Sequence, residues 1–134
     1  MSFDRAVLAL LGAFVLLAGL ACLAAPASLA QQAGWSATPA GLTEIRAFYG
    51  GLQIGFGCFL IWCSREHTRT FFGLLVEGLV VGGVGMARGL GMLIDRSPTM
   101  YLLGNLAVEA ATVALVAVAI SWHRRHTRRN PVPA

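Results

Sequence analysis

The sequence predicts an all-α membrane protein, a bundle of four transmembrane helices. Hydrophobic residues make up 57% of the 134-residue chain and charged residues only 12%, whereas a soluble domain has about 25% charged residues. The apolar residues also form four long segments, each near the roughly 20 residues that a helix needs to cross a bilayer. These segments predict helices over about residues 4–25, 43–64, 70–94 and 100–122. Residues 1–123 are therefore expected to form a single membrane domain, followed by a basic tail at 124–134.

The first apolar segment follows Asp4 and Arg5 and ends in a stretch of small residues. Such an ending is typical of a secretory signal, but the apolar core of a signal spans about 7–15 residues. The segment 6–25 is longer, so we expect a retained transmembrane helix. Residues 26–42 contain prolines and glycines but no charge, which predicts a loop, with Trp35 at the membrane interface.

The second and third helices are rich in glycine. Thr43 is placed to cap the second helix, with Glu44 near its positive end. A glycine costs about 1 kcal/mol relative to Ala in a soluble helix, whereas in lipid small residues let helix backbones approach closely. The Gly-x-x-x-Gly pairs are Gly51–Gly55, Gly78–Gly82 and Gly85–Gly89. Close helix packing is therefore expected, either within the chain or in a homo-oligomer or larger membrane complex.

The fourth helix is followed directly by the basic tail. Pro98 lies near the start of this helix, and Tyr101 and Trp122 are expected as aromatic anchors at its two ends. The net charge of +4 comes from arginines, because the chain contains no Lys. A basic tail after a hydrophobic helix is typical of a topology signal and of contact with anionic lipids. The expected partner is therefore the lipid bilayer and not nucleic acid.

The arginines are divided unequally between the two sides of the membrane. Arg5, the 64–70 turn and the tail would share one side, and the other would carry Arg96 and, at its edge, Arg46. Since cytoplasmic loops are enriched in Lys and Arg, we expect both termini in the cytoplasm. The chain is thus predicted to be a multi-pass protein of a bacterial inner membrane.

Three charged side chains lie well inside the apolar segments, namely Glu77, Arg88 and Glu109. A charge at the bilayer centre costs about 2.5–3.5 kcal/mol, so such residues usually face the bundle interior and pair. At 1.5 Å per helical residue, Tyr49 and Arg88 each lie about 9 Å from the outer surface, and Glu109 lies about 13 Å from it. Long side chains at these depths are able to meet.

The helix faces agree with a cluster at this depth. Arg46, Tyr49 and Gln53 are three and four residues apart, which places them on one face of a helix. The predicted polar cluster has six members, Glu44, Arg46, Tyr49, Gln53, Arg88 and Glu109. Three interpretations stay open: a lock on helix register, a site for an anion or lipid headgroup, and a proton path.

Glu77 is predicted to form a second polar site. It lies about 10 Å from the inner end of the third helix, too far from Glu109 for direct contact. The nearest candidate partners in the preceding turn are Arg65, His67 and Arg69.

Catalytic and metal-binding patterns are absent from the sequence. There is no G-x-S-x-G, H-E-x-x-H or phosphate-binding glycine loop, and no C-x-x-C pair. His123 and His126 are three residues apart, a spacing that would allow the two to bind a metal, but we expect them to be solvated with the basic tail. No catalytic residue, metal or cofactor is expected, and the three cysteines are expected to form no disulfide.

The stretch EIRAFYGGLQIGFGCFLIW, Arg88 in VGMARGLGML and Glu109 in NLAVEAATVAL resemble a bacterial family of small four-helix membrane proteins. That family is known only as a domain of unknown function and shares an E-x-R-x-x-Y-G-G motif. The resemblance implies that Arg46, Tyr49, Arg88 and Glu109 belong together. More remotely, the glycine-rich second helix is similar to that of DoxX-like membrane proteins. Some of those are linked to oxidoreductase complexes, which implies a redox accessory role.

The function expected from these observations is that of a small non-enzymatic accessory or assembly protein with a buried Arg/Tyr/Glu cluster. Two alternatives stay open. One is a binder or carrier of a small lipophilic or anionic ligand that enters from the periplasmic side, and the other is an accessory subunit of a redox complex. A membrane enzyme acting on lipid or quinone has the least support, because no catalytic pattern is present.

Overall fold

A computed structural model describes residues 2–129, with side chains through His126. Every regular element in this part of the chain is helical, and none is a β-strand. Four helices are long and apolar enough to cross a membrane, Phe3–Ala24, Pro39–Ser64, His67–Ile94 and Met100–His126. The predicted all-α class with four transmembrane helices is confirmed. The chain is a multi-pass membrane protein.

The elements in chain order are α1 (Phe3–Ala24), α2 (Pro26–Ala33), α3 (Pro39–Glu44), a π-helical segment (Ile45–Gly51), α4 (Leu52–Ser64), α5 (His67–Ile94) and α6 (Met100–Arg129). Helix α2 lies within the region predicted as a loop. It begins with Pro26 and stops at Gly34, which adopts the left-handed conformation with φ 72°. Glycine reaches that conformation without a Cβ penalty. Helix α6 runs past its predicted end at Trp122, because the arginine-rich segment continues the helix.

The second membrane helix begins at Pro39, four residues before the predicted start at Thr43. Thr38 is the capping residue, and its hydroxyl accepts a hydrogen bond from the Gly41 amide at 3.1 Å. Pro39 then occupies the first turn, where a proline costs no hydrogen bond. The predicted cap at Thr43 is wrong, because the Thr43 hydroxyl donates to the carbonyl of Pro39 at 3.1 Å.

Replacing Thr38 by Ala should lower the free energy of unfolding by about 1 kcal/mol, the usual cost of losing a capping hydroxyl. Thermal unfolding of the detergent-solubilised protein measures this loss. Thr43→Ala is the control, because the Thr43 hydroxyl bonds only within its own helix and caps nothing. Equal losses in the two variants would contradict the assignment of the cap.

The chain forms two compact units. The terminal unit consists of the chain up to Leu8 together with the residues from Cys63 onward, and the central unit is Ala9–Trp62. In the terminal unit α5 packs on α6. Leu8 and Leu74 are fully buried there. Gly73 leaves room for Leu8, since a Cβ on this glycine would lie 2.7 Å from Leu8 Cδ2.

The central unit is held by glycines on two facing helices. A Cβ on Gly19 of α1 would lie 2.8 Å from the backbone nitrogen of Ile54, and a Cβ on Gly57 would lie 2.6 Å from that of Leu16. The two backbones therefore approach as closely as small residues permit. The three cysteines, Cys22, Cys58 and Cys63, are free.

Candidate functional site

Arg88 on α5 and Glu109 on α6 form a close ion pair. Arg88 Nη2 donates to Glu109 Oε1 at 2.8 Å, and Arg88 Nε donates to Oε1 at 3.0 Å and to Oε2 at 3.1 Å. The side chains are 24% and 12% exposed, respectively. Gly85 lies one turn before Arg88, and a Cβ there would meet Glu109 at 3.4 Å. Because Gly85 has no side chain, the Glu109 carboxylate has space to lie beside α5 and reach Arg88.

The other four members of the predicted cluster lie in the central unit. Glu44 and Arg46 are exposed. Tyr49 is also exposed and packs its ring on that of Trp35, with 5.6 Å between the ring centroids. Gln53 Oε1 is buried without a hydrogen-bond partner among the described residues. That these four residues join the Arg88–Glu109 pair stays a prediction.

The motif that contains Arg46 and Tyr49 adopts π-helical backbone, Ile45–Gly51. A π-helix closes its hydrogen bonds between residues five apart and is found mostly as single turns, often at functional sites. Because it has more residues per turn than an α-helix, residues three apart diverge in direction. The sequence-based alignment of Arg46 with Tyr49 assumed α-helical geometry, which this segment does not have, and their placement on one face stays a prediction.

Glu77 on α5 is 1% exposed, and its Oε2 has no hydrogen-bond partner within the part of the chain that the structure describes. Two of the three predicted partners, Arg69 and His67, contact other acidic residues. Arg69 pairs with Glu66 at 2.9 Å, and His67 faces Asp4. An ionisable residue inside a membrane segment is a functional candidate by default, and the assignment of Glu77 as a second polar site stays a prediction.

A further polar group, which we call the terminal triad, consists of Asp4, His67 and His123. Asp4 is fully buried, and its Oδ2 lies 2.5 Å from His123 Nδ1 and 3.9 Å from His67 Nδ1. The two imidazole rings stack with 4.3 Å between centroids. His123 is 7% exposed, so the expectation of a solvated His123 is wrong. Helix α6 continues past Trp122 and carries this side chain against α1 and α5.

Residues 3–120 match a family described as Domain of unknown function (DUF4345). The chain belongs to the DUF4345 family. No curated protein and no solved structure matches it. The match spans most of the chain, including Asp4, His67, Arg88 and Glu109, whereas His123 follows three residues after its end.

In this DUF4345 protein, Arg5 fixes the geometry around the terminal triad. Its guanidinium donates to the Ser64 carbonyl at 2.8 Å and to the Arg65 carbonyl at 2.7 Å. The last carbonyls of a helix have no partner within it, and Arg5 satisfies that of Ser64, the last residue of α4, and that of Arg65 in the turn that follows. The neighbouring Asp4 is thereby held at the turn that leads into His67.

The DUF4345 chain also has an open cleft of about 390 Å³ beside Arg88. The lining residues come from α5, α6 and the turn between them, namely Val84, Ala87, Arg88, Gly91, Met92, Asp95, Ser97 and Leu102. The wall is mostly apolar and carries the Arg88 guanidinium and the Asp95 carboxylate, and mostly apolar clefts with a few polar groups are typical of small-molecule sites.

Proposed function

We propose that this DUF4345 protein is a non-enzymatic accessory or assembly protein of a larger complex in a bacterial inner membrane, with both termini in the cytoplasm. The observation that carries the proposal is the closed Arg88–Glu109 pair. A charge that is matched inside the chain holds two helices in register and leaves little reactivity for catalysis. The orientation rests on the distribution of arginines between the two sides.

The geometry of the pair favours a structural role. A guanidinium that contacts both oxygens of a carboxylate forms the strongest and most directional kind of ion pair. It also fixes the register of α5 along α6. Gly78 supports this registration, because a Cβ there would meet Val116 Cγ1 at 3.2 Å.

The chain also offers glycines for contacts outside itself. Gly83 on α5 and Gly104 on α6 are exposed, and no heavy atom lies within 4 Å of a Cβ built on either. Exposed apolar side chains such as Leu79 and Leu103 lie on the same helices. Lipid-facing small residues are the usual contact points for a neighbouring transmembrane helix. The proposed partner is therefore a helix of a second copy or of another membrane protein.

Gly83→Leu should release the protein from its complex without unfolding it. Native mass spectrometry after extraction in a mild detergent measures the mass of the assembly, and thermal unfolding checks the fold. Val84→Leu is the matched control, since Val84 is already an exposed branched side chain. The proposal would be contradicted if the wild-type protein were detected only as a single copy without partners. It would also be contradicted if the assembly kept its mass in the Gly83→Leu variant.

The cleft beside Arg88 favours a second candidate function, the binding of a small lipophilic or anionic ligand from the periplasmic side. The same spectra separate the two candidates. A small molecule retained by single copies of the chain supports the binder, whereas added protein mass supports the accessory role. A redox complex as the partner rests on the likeness to DoxX-like proteins, and the identity of the co-purified subunits tests it.

A further inference from the structure

The terminal triad brings together three metal-ligating side chains from three helices. One ligand atom of each of Asp4, His67 and His123 lies within 4.8 Å of the others. Zinc binds imidazole nitrogen and carboxylate oxygen at about 2.0–2.2 Å, so two ligands of one ion lie roughly 3–4 Å apart. Small side-chain movements would bring the three ligand atoms from the observed spacing to that arrangement. An ion would replace the Asp4–His123 hydrogen bond with one bond to each residue.

A second observation points to a ligand at this place. Asp4 Oδ1 is buried and makes no hydrogen bond of normal geometry among the described residues. A carboxylate that is buried in this way is costly unless it is paired or coordinates a metal. His123 contacts the other oxygen, Oδ2. The Ser2 side chain and the Arg5 backbone also interact with this carboxylate, but Oδ1 keeps a lone pair that a metal ion can use.

The surroundings hold the three groups in place and leave one side accessible. The Phe71 ring lies 6.0 Å from the His123 ring, and Arg5 fixes the start of α1 on the end of α4. Asp4 and His123 are buried, whereas His67 is only partly buried. Three protein ligands with an open position are typical of metal sites that bind a water or a further ligand.

We propose that the terminal triad binds one divalent first-row transition metal ion through the Asp4 carboxylate and a ring nitrogen each of His67 and His123. Two imidazoles and one carboxylate suit Fe²⁺ and Zn²⁺. The site is distinct from the Arg88–Glu109 pair and does not depend on the function proposed above. It differs from the metal-free expectation because that expectation treated His123 as a solvated residue.

His67 is the residue that distinguishes a metal site from a simple link between α1 and α6. The Asp4–His123 hydrogen bond alone would join those helices. At 3.9 Å from Asp4 Oδ2, His67 Nδ1 is too distant to hydrogen-bond to that atom, yet it lies within the reach of a shared ion. A metal site needs His67, whereas the helix link does not.

The test uses the full-length protein in detergent, stripped with a chelator and then titrated with Co²⁺, whose visible absorption reports coordination by nitrogen and oxygen. We expect one Co²⁺ per chain, displacement by Zn²⁺, and a higher unfolding midpoint with Zn²⁺. His67→Asn should weaken Co²⁺ binding at least tenfold and remove most of the rise in unfolding midpoint that Zn²⁺ gives, each measured against the variant's own metal-free state.

His126→Asn is the matched control, because His126 lies one turn further along α6 and contacts the Trp122 carbonyl at 3.0 Å. Its Co²⁺ binding should equal that of the wild type. Wild-type protein without a Co²⁺ band overturns the proposal, and this result needs no variant to fold. Binding that survives His67→Asn, or that is lost in His126→Asn, overturns it as well, because the ion would then lie elsewhere.

Discussion

Replacing Glu109 by Gln should destabilise the protein by about 3–5 kcal/mol, the usual cost of removing one partner from a buried ion pair. The carboxylate accepts three hydrogen bonds from Arg88, and the neutral amide that replaces it leaves the guanidinium charge without its counter-charge. Both side chains are mostly buried, at 24% and 12% exposure, so water compensates for little of the loss. Equilibrium unfolding with SDS in mixed micelles measures the change.

Glu66→Gln provides a matched control for the same chemical change at the surface. Glu66 pairs with Arg69 at 2.9 Å, but the two side chains are 50% and 43% exposed, and an exposed pair contributes at most about 1 kcal/mol. The double variant Arg88→Met/Glu109→Leu should regain most of the lost stability, because apolar residues in place of a whole buried pair are often tolerated. If Glu109→Gln were as mild as Glu66→Gln, the Arg88–Glu109 pair would not be holding α5 on α6.

The class of the fold could be predicted from composition because a bilayer imposes its own pattern. A chain that crosses lipid must satisfy its backbone inside each segment, which selects long apolar helices. Hydropathy reports such segments directly, and Phe3–Ala24 and His67–Ile94 match the expectation closely. Depth counting also placed Arg88 and Glu109 near one level, and the structure pairs them.

The local backbone geometry of the second membrane helix could not be predicted from the sequence. The π-helical segment Ile45–Gly51 has the same hydropathy as an α-helix, so nothing in its composition distinguishes the two. Its wider turn changes which side chains share a face, and Arg46 and Tyr49 are affected directly. The start of the helix at Pro39 was nevertheless available from sequence, since Thr-Pro is a common combination of cap and first turn.

The terminal triad also left a signal in the sequence. In a chain of four transmembrane helices, residue 4, the turn after the second helix and the end of the fourth helix all lie on one side of the membrane. Asp4, His67 and His123 occupy those three positions. The residues after Trp122 are predicted as a tail because they are strongly basic, and the continuation of α6 through them depends on packing that the sequence does not display.

Gly57→Ala should destabilise the central unit by about 1–3 kcal/mol or more. The added Cβ would lie 2.6 Å from the backbone nitrogen of Leu16 and 2.7 Å from the carbonyl oxygen of Gly12. Neither atom belongs to a flexible side chain, so the only relief is a separation of the two helices. The backbone contact at Gly19 and Ile54 would loosen with it. Unfolding with SDS in mixed micelles measures this loss too.

Gly55→Ala makes the same change two residues earlier on α4, where no heavy atom lies within 4 Å of the new Cβ. It should be neutral or stabilising by up to about 1 kcal/mol, because Ala favours a helix over Gly. The Gly-x-x-x-Gly pattern includes Gly55 but not Gly57, whereas in the structure only Gly57 of the two contacts the backbone of α1. The contrast between the two variants therefore separates a glycine that is needed for close approach from one that is not. Similar losses at both positions would mean that the cost comes from α4 itself and not from its contact with α1.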